Sequence, residues 1–399
     1  MKIRILIIIP VFFLSGFLRS VIYPQQAFNY YINALSGLED TKGNTHLFYK
    51  LHEFYNDKIP PREIIRLHNL DVENNKDVVF QSYGRLCNNI ACIDTLILDF
   101  EFWNNNPQDF VLAGTIDAGT DPIAFIRTRD TIKHFKGIQA IYNVEVSKQE
   151  SNLIFYSINA SSGSPVKVLA KSTDKGRSWG SISSQYFDLV SVDPYNDKVI
   201  FGLSSNGFPV KSTDQGKTSR QVIEQYMNNM DNRIFYDADS VHIYWVSERF
   251  VYASDKTGDS LSWRKIHEGR QKVYLASDSK NTGRIFLAEG KYILFSSDYG
   301  KTFHLLCKLE SPVNGIYLKP GTERLFVTTR YSIFEVTKDS LKVIKNFTLP
   351  KYLLGFYPLK RGNKWFFTET VSDYPKNIIY DMTRSVTGDT IMPNKKRYH

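Results

Sequence analysis

KSTDKGRSW at 171–179 returns as KSTDQGKTS at 211–219 and as FSSDYGKTF at 295–303, with a stretched copy, ASDKTGDSLSW, at 253–263. The shared pattern is Ser/Thr-x-Asp-x-Gly-x-Ser/Thr, followed in most copies by an aromatic residue. Its aspartates, Asp174, Asp214, Asp255 and Asp298, step by 40, 41 and 43 residues. A period near forty, set in strand-like sequence, is the signature of a β-propeller, in which each repeat is one radial sheet. Each copy reads as a strand running into a tight turn, where the carboxylate accepts hydrogen bonds from turn N–H groups and a nearby hydroxyl. Gly176, Gly216 and Gly300 supply a position where positive φ carries no Cβ penalty. Trp179, Trp263 and Phe303 then open the next strand with a large apolar face. One carboxylate per hairpin is what a repeated structural clasp requires; catalysis or metal binding would gather them at one point.

A second, apolar strand type gives the count. Its instances are DFVLAGTI (109–116), NLIFYSIN (152–159), DKVIFGLSS (197–205), SVHIYWVS (240–247), GRIFLAEG (283–290), ERLFVTTR (323–330) and NKWFFTET (363–370), starting 43, 45, 43, 43, 40 and 40 residues apart. Asp130 and Asp339 fall one period outside the clear copies and read as eroded ones. An eighth unit is expected in THLFYKLH (45–52), REIIRLHN (62–69) and KDVVFQSY (76–83), with Gly84 as its turn glycine. The expectation is an all-β chain folded as one propeller of four-stranded blades, seven or eight in number, over residues 45–394. A lead-in covers 23–44, a basic tail covers 395–399, and the last blade is shared by strands from both chain ends.

Hydrophobic residues make up 42% of the chain and aromatic residues 14%, enough for a large core between packed sheets. MKIR, then the uncharged ILIIIPVFFLSGFL (5–18), then Arg19, reads as a secretory signal over residues 1–22. That implies a secreted or periplasmic protein, with an uncleaved N-terminal anchor as the alternative. The formal charge is +9, but basic residues are scattered singly apart from Lys395, Lys396 and Arg397, so no nucleic-acid stripe exists. Cys87 and Cys92 in CNNIAC either close a small disulfide loop in an oxidising compartment or remain thiols. Cys307 reads as a small apolar strand residue. Neither count nor spacing suggests zinc or redox chemistry, and no cofactor or metal is expected. The chain is expected to be a monomer.

The repeated phrases resemble the Asp-box, or BNR repeat, of sialidase-type and sortilin-type propellers, and the strand rhythm extends the likeness over most of the chain after residue 44. The resemblance implies that the box joins the third and fourth strands of a blade, on the side away from the ligand funnel. The loops of the opposite side hold Asp117 and Asp121, Glu248 and Arg249, Arg270, Glu289, Arg330 and Tyr331, and Glu369, Asp373 and Tyr374. Arg249, Arg270, Arg330, Tyr331, Asp121 and Glu289 are therefore the candidate binding set, suited to an anionic sugar or an acidic peptide. The plain alternative is that they are solvated loop tips. A sialidase would need three arginines, a Tyr–Glu pair and an acid, for which Tyr374, Glu369 and Asp117 are the candidates beside Arg249, Arg270 and Arg330. The Phe/Tyr-Arg-Ile-Pro phrase of that family is missing, and IPPREII (59–65) is no substitute. No Gly-x-Ser-x-Gly elbow, phosphate-binding Gly-Lys-Ser/Thr loop or His-Glu-x-x-His helix occurs. The sequence therefore favours a non-catalytic binding propeller for a protein partner or a surface glycan. The alternative is a glycoside hydrolase of sialidase type.

Overall fold

The structure is a computed structural model. It describes residues 29–55, 62–87, 92–103, 106–117, 123–129, 131–136, 141–150, 152–161, 164–182, 186–227, 232–338, 340–347, 364–373, 376–385, 390–391 and 397–398. The expected signal segment, Asp130, Asp339, Lys395 and Lys396 lie outside the described residues. Every regular element among the described residues is a strand.

Blade 1 is β1 (Asn29–Glu39), β2 (Thr45–Tyr55), β3 (Arg62–Asp71) and β4 (Lys76–Cys87). Blade 2 is β5 (Cys92–Phe102), β6 (Phe110–Asp117), β7 (Ile123–Thr128) and β8 (Ile132–Lys136). Blade 3 is β9 (Ile141–Val146), β10 (Ile154–Ser161), β11 (Ser164–Ser172) and β12 (Gly180–Ser181). Blade 4 is β13 (Asp188–Val192), β14 (Ile200–Leu203), β15 (Pro209–Ser212) and β16 (Arg220–Gln221). Blade 5 is β17 (Asn232–Tyr236), β18 (Ile243–Ser247), β19 (Phe250–Ser254) and β20 (Trp263–Glu268). Blade 6 is β21 (Val273–Ser277), β22 (Ile285–Glu289), β23 (Tyr292–Ser296) and β24 (His304–Lys308). Blade 7 is β25 (Val313–Leu318), β26 (Leu325–Thr329), β27 (Ser332–Val336) and β28 (Leu341–Asn346). Within each blade, sequence neighbours pair antiparallel.

The core lies between blades. Seven apolar clusters correspond one to one with seven seams, from Phe48 against Phe102 and Phe125 between blades 1 and 2 to Leu47 and Tyr49 against Phe326 and Ile333 between blades 7 and 1. In β18, Ile243 and Trp245 enter the seam with blade 4, and Tyr244 and Val246 enter the seam with blade 6. A strand buried on both faces reads as an unbroken apolar run, which is why IYWVS and its counterparts set the rhythm of the sequence. Burial at roughly 25 cal/mol per Å² makes these seams the main source of stability.

The ring has seven blades, and it closes without a shared one. All strands of blade 7 come from 313–346 and all strands of blade 1 from 29–87. The lead-in expected at 23–44 is, over Asn29–Glu39, the inner strand of blade 1, paired along its length with β2. It packs on β25 across the closing seam. The Ile32 amide donates to the Arg330 carbonyl at 2.8 Å, and the Asn314 side-chain amide donates to the Ile32 carbonyl at 2.6 Å. Two glycines allow that approach. A Cβ on Gly37 would stand 2.4 Å from the Tyr317 ring, and one on Gly315 would stand 2.7 Å from Leu35. Gly84 is likewise no turn glycine: it lies within β4 opposite Ile64, and the turn of blade 1 is at 72–75. The strand expected as a further blade at 363–370 belongs to β29 (Lys364–Asp373), which pairs with β30 (Lys376–Ser385) as a separate two-stranded sheet.

The repeated turns join β11 to β12, β15 to β16, β19 to β20 and β23 to β24. In the first, the Ser178 amide and hydroxyl donate to Asp174 at 2.8 and 2.6 Å, while the Ser172 hydroxyl donates to Asp174 and accepts from the Gly176 amide. Asp214 and Asp298 repeat these contacts with Thr218 and Thr302. The side-chain and backbone bonds from Ser178 pull the Asp174 carboxyl down to about 2. Two consecutive residues turn left-handed in each copy, Lys175–Gly176, Gln215–Gly216, Thr257–Gly258 and Tyr299–Gly300. That alignment corrects the third copy. Gly258 accepts the role of Gly176, so Lys256, not Asp255, occupies the carboxylate position. Asp255 is exposed, and the turn is fastened by Ser254, whose hydroxyl accepts from the Gly258 amide at 3.0 Å and lies 2.6 Å from the Ser262 hydroxyl.

Candidate binding face

Up-and-down pairing sends the second-to-third turns and the links between blades to the face opposite the repeated turns. In blades 5 to 7 those turns are two residues long: Glu248–Arg249, Gly290–Lys291 and Arg330–Tyr331. Their carbonyls are all bonded, three across the seams and three within the blade. Glu248, Gly290 and Arg330 carbonyls accept from Val273, Val313 and Ile32, and Arg249, Lys291 and Tyr331 carbonyls accept from Gly269, Leu309 and Phe347, all within 2.7–2.8 Å. The backbone is fixed, and Glu248, Arg249, Lys291 and Arg330 present exposed side chains.

Of the expected binding set, Arg249, Arg270 and Glu289 meet at the seam of blades 5 and 6. Glu289 is already engaged: it accepts from the Arg270 amide at 2.6 Å and lies 3.0 Å from His267 Nε2. Arg249 stands 4.0 Å from Glu268 and 4.9 Å from the Phe250 ring centroid, and Lys265 shares both partners. Arg330 and Tyr331 stand two blades away at the closing seam, with the guanidinium 5.4 Å from its neighbour's ring. Basic groups also lie near aromatic rings at Lys272–Tyr274 and Lys308–Tyr292. The side chain of Asp117, all of Asp121 and all of Tyr374 lie outside the described residues. Glu369 and Asp373 sit in the β29–β30 ladder, opposite Tyr380 and Lys376, apart from the seven blades. Of the residues expected for a sialidase, Arg249 and Arg270 lie at one seam, Arg330 at another and Glu369 in the β29–β30 ladder, while Tyr374 and the side chain of Asp117 lie outside the described residues.

On the same face the molecule is uneven. β2, β4 and β5 run 11, 12 and 11 residues, against five for β18, β22 and β26. At about 3.3 Å per residue, six extra residues extend a strand by roughly 20 Å. Blade 1 and the inner strand of blade 2 carry long ladders beside the short-turned blades 5 to 7.

Two polar groupings escaped the sequence reading. Near the axis, Asp99 accepts from the Val144 amide at 3.0 Å, Glu101 pairs with Lys148 at 3.0 Å, and Glu145 takes a bond from the Val192 amide. Burial pushes Asp99 up to about 6, helped by Glu101 and moderated by Arg233 and Lys50. Burial, with Glu101 and Asp99 nearby, also raises Glu145. The signal was available as acidic residues inside the apolar runs ILDFEF and NVEV. On the turn face, buried Asp193, Asp237 and Asp278 cap the first-to-second turns, and the last two also accept the Gly283 and Gly321 amides of the next blade. An open bowl of about 240 Å³ lies on this face, lined by Thr128, Thr131, Asn152, Thr173, Asp174, Lys175 and Arg177. Among the described residues no three His, Cys, Asp or Glu side chains are grouped to hold a metal ion.

No family model and no curated protein matches this chain. Among solved structures it is similar to a GH74 enzyme of Niastella koreensis, with a TM-score of 0.55 and 14% identity over 80% of this chain and 54% of that one. It thus spans about half the length of that enzyme. Two further likenesses have TM-scores of 0.43: YCF48 from Cyanidioschyzon merolae, at 13% identity over 65% of this chain and 87% of that one, and YCF48 bound to D1 peptide, at 14% over 65% and 86%. At such identities the GH74 likeness establishes the propeller fold alone.

Proposed function

We propose that this chain is a secreted or periplasmic, non-catalytic binding propeller of the Asp-box class, which recognises a protein partner or a surface glycan through the face opposite its repeated turns. One observation carries the reading. On that face Glu289, the carboxylate of the candidate binding set among the described residues, is consumed by His267 and the Arg270 amide, while Arg249 and Lys265 lie over the Phe250 ring. A tethered carboxylate orients its neighbours, and exposed cations over rings suit an extended or anionic ligand rather than an enclosed substrate. The apolar stretch at 5–18 supports export. The serine, aspartate and glycine contacts of the turns support membership of the Asp-box class. The test is a glycan array, a peptide array and a fluorogenic-glycoside screen of the mature chain. The expected result is binding without turnover, weakened at least tenfold in Arg249→Ala/Arg270→Ala and less in Arg330→Ala. Glycoside turnover that survives purification and disappears in Glu369→Gln would replace this reading with the sialidase-type one.

A further inference from the structure

Cys87 ends β4 and Cys92 begins β5. In the antiparallel register of this pair Arg85 faces Asp94, Leu86 faces Ile93, and Cys87 faces Cys92. The sequence spacing says only that two cysteines flank a four-residue segment. The register adds that they occupy the same rung. Directly opposed residues of an antiparallel ladder have Cα atoms about 4.5–5.5 Å apart and side chains on the same side of the sheet. A disulfide accepts Cα separations of roughly 4.4–6.8 Å, so no backbone movement is needed at this rung. The third cysteine offers no competition. Cys307 lies in β24 of blade 6, opposite Ile293, half-buried, with its thiol pushed up by burial.

We propose that Cys87 and Cys92 form a cross-strand disulfide that fixes the link between blades 1 and 2. The thiolate of one cysteine attacks a sulfur of an external disulfide, either small or carried by a thiol oxidoreductase, and releases one thiol. The thiolate of the other then displaces the second. The pair loses two protons and two electrons, and the external disulfide is reduced to two thiols. The position gives the bond its purpose. β4 pairs first with β3 and then, past it, with β5, joining blades 1 and 2 into one eight-stranded sheet. Among the described residues three rungs join β4 to β5, and the cysteine rung is the last. A covalent tie there stops the shared ladder from fraying where the chain turns from one blade to the next. The closed loop is short, so the effect is local rather than global.

The test needs no assumption about compartment. The full mature chain is reduced, desalted, incubated under native conditions with oxidised glutathione, then denatured, alkylated and mapped by mass spectrometry. The expected product has lost two hydrogens, carries one alkyl group on Cys307 and yields a linked Cys87–Cys92 peptide. Native tryptic cleavage after Arg85 should be several-fold slower in the oxidised protein. Cys92→Ser should instead carry a glutathione adduct on Cys87 and lose that protection. Stable glutathione adducts on both Cys87 and Cys92, three alkylatable thiols, or a link to Cys307 would each overturn the proposal.

Discussion

Blades 3 to 6 carry the repeated turns, and among the described residues of blades 7, 1 and 2, which adjoin one another around the closing seam, none is seen. The two arcs are held together differently. In the first, the left-handed residue of each turn leans on the preceding blade: the Gln215 side chain accepts from Lys171 at 2.9 Å, the Thr257 carbonyl accepts from Lys211 at 2.8 Å, and Tyr299 stacks on His242 at 3.9 Å. In the second, the turns are short, at 72–75, 128–131 and 337–340, and charges span the seam. Arg324 pairs with Glu73 across the closing seam at 2.7 Å while held by Glu335 of its own blade at 2.5 Å, Lys319 approaches Glu73 at 3.6 Å, and Lys345 pairs with Asp77. The local clasp suits seams where the chain itself runs from blade to blade. At the seam with no covalent link, the molecule relies on groups brought together only by the finished ring.

The largest expected effect follows from that contrast. Arg324→Ala takes from Glu335 its ion pair and leaves Glu73 with Lys319 at 3.6 Å as its remaining cation, and should cost about 2 kcal/mol. Asp214→Ala, which removes one clasp from the other arc, should cost about 1 kcal/mol. Denaturant midpoints measure both. Because the Arg324 pairs are partly exposed, the difference should narrow in 0.5 M salt. Equal costs, or a gap indifferent to salt, would mean that closure rests on the apolar cluster of Tyr49, Phe326 and Ile333 alone.

This contrast also marks what was legible in the sequence. The clasps were readable because each is built from residues no more than eight positions apart, and the strand rhythm was readable because second strands are apolar on both faces, although 363–370 reads the same way and leaves seven and eight blades both open. The closing seam was not, because Arg324 and Glu73 are 251 residues apart and nothing local requires their meeting. The shared blade was expected from general practice among rings, and the contiguous sheet β1–β4 replaces it. In the candidate face, strand order implies that the loops bearing Arg249, Arg270 and Glu289 open on one side, and they adjoin one another at the seam of blades 5 and 6. That Glu289 is occupied by His267 follows only from the pairing of β20 and β22 with their neighbours. The turn aspartates Asp193, Asp237 and Asp278 repeat at 44 and 41 residues and were as visible as the clasps, but lack the flanking glycine that drew notice.

An intermediate effect is expected at the axis, in the arc without clasps. Asp99 has a folded value of about 6 against 3.8 for an ordinary aspartate, so the folded state binds its proton more tightly than the unfolded chain does. Its charge therefore destabilises the fold at neutral pH, and stability should rise as pH falls from 7 towards 5. Each unit corresponds to about 1.4 kcal/mol, and residual solvent contact reduces the expected penalty to about 1–2 kcal/mol. Asp99→Asn should raise the melting temperature at pH 7.5 and flatten this limb. Below pH 4 the sign reverses in both proteins. Asp77, held to about 2 against the opposing effect of burial by bonds from His68, Lys345 and Tyr49, loses its contribution as pH falls through that value. A wild-type stability that falls steadily from pH 7 to 5 would remove Asp99 as a destabilising group.

The smallest effect, at Asp255, separates the pattern in the sequence from the turn in the structure. The stretched copy at 253–263 offers Asp255 as its carboxylate, but the two left-handed residues, Thr257 and Gly258, shift the frame by one and leave Asp255 exposed where Thr173 stands in the first copy. The fastening passes to Ser254, which is buried and serves the amides of Gly258 and Lys256. Ser254→Ala should therefore cost about 1–2 kcal/mol, since a buried Gly258 amide loses its acceptor. Asp255→Ala should stay within about 0.5 kcal/mol of the parent protein, as surface changes do. The comparison is internal to one turn, so expression level and global stability cancel. A larger loss at Asp255 than at Ser254 would restore the aspartate to its sequence-assigned place and realign the whole third copy by one residue.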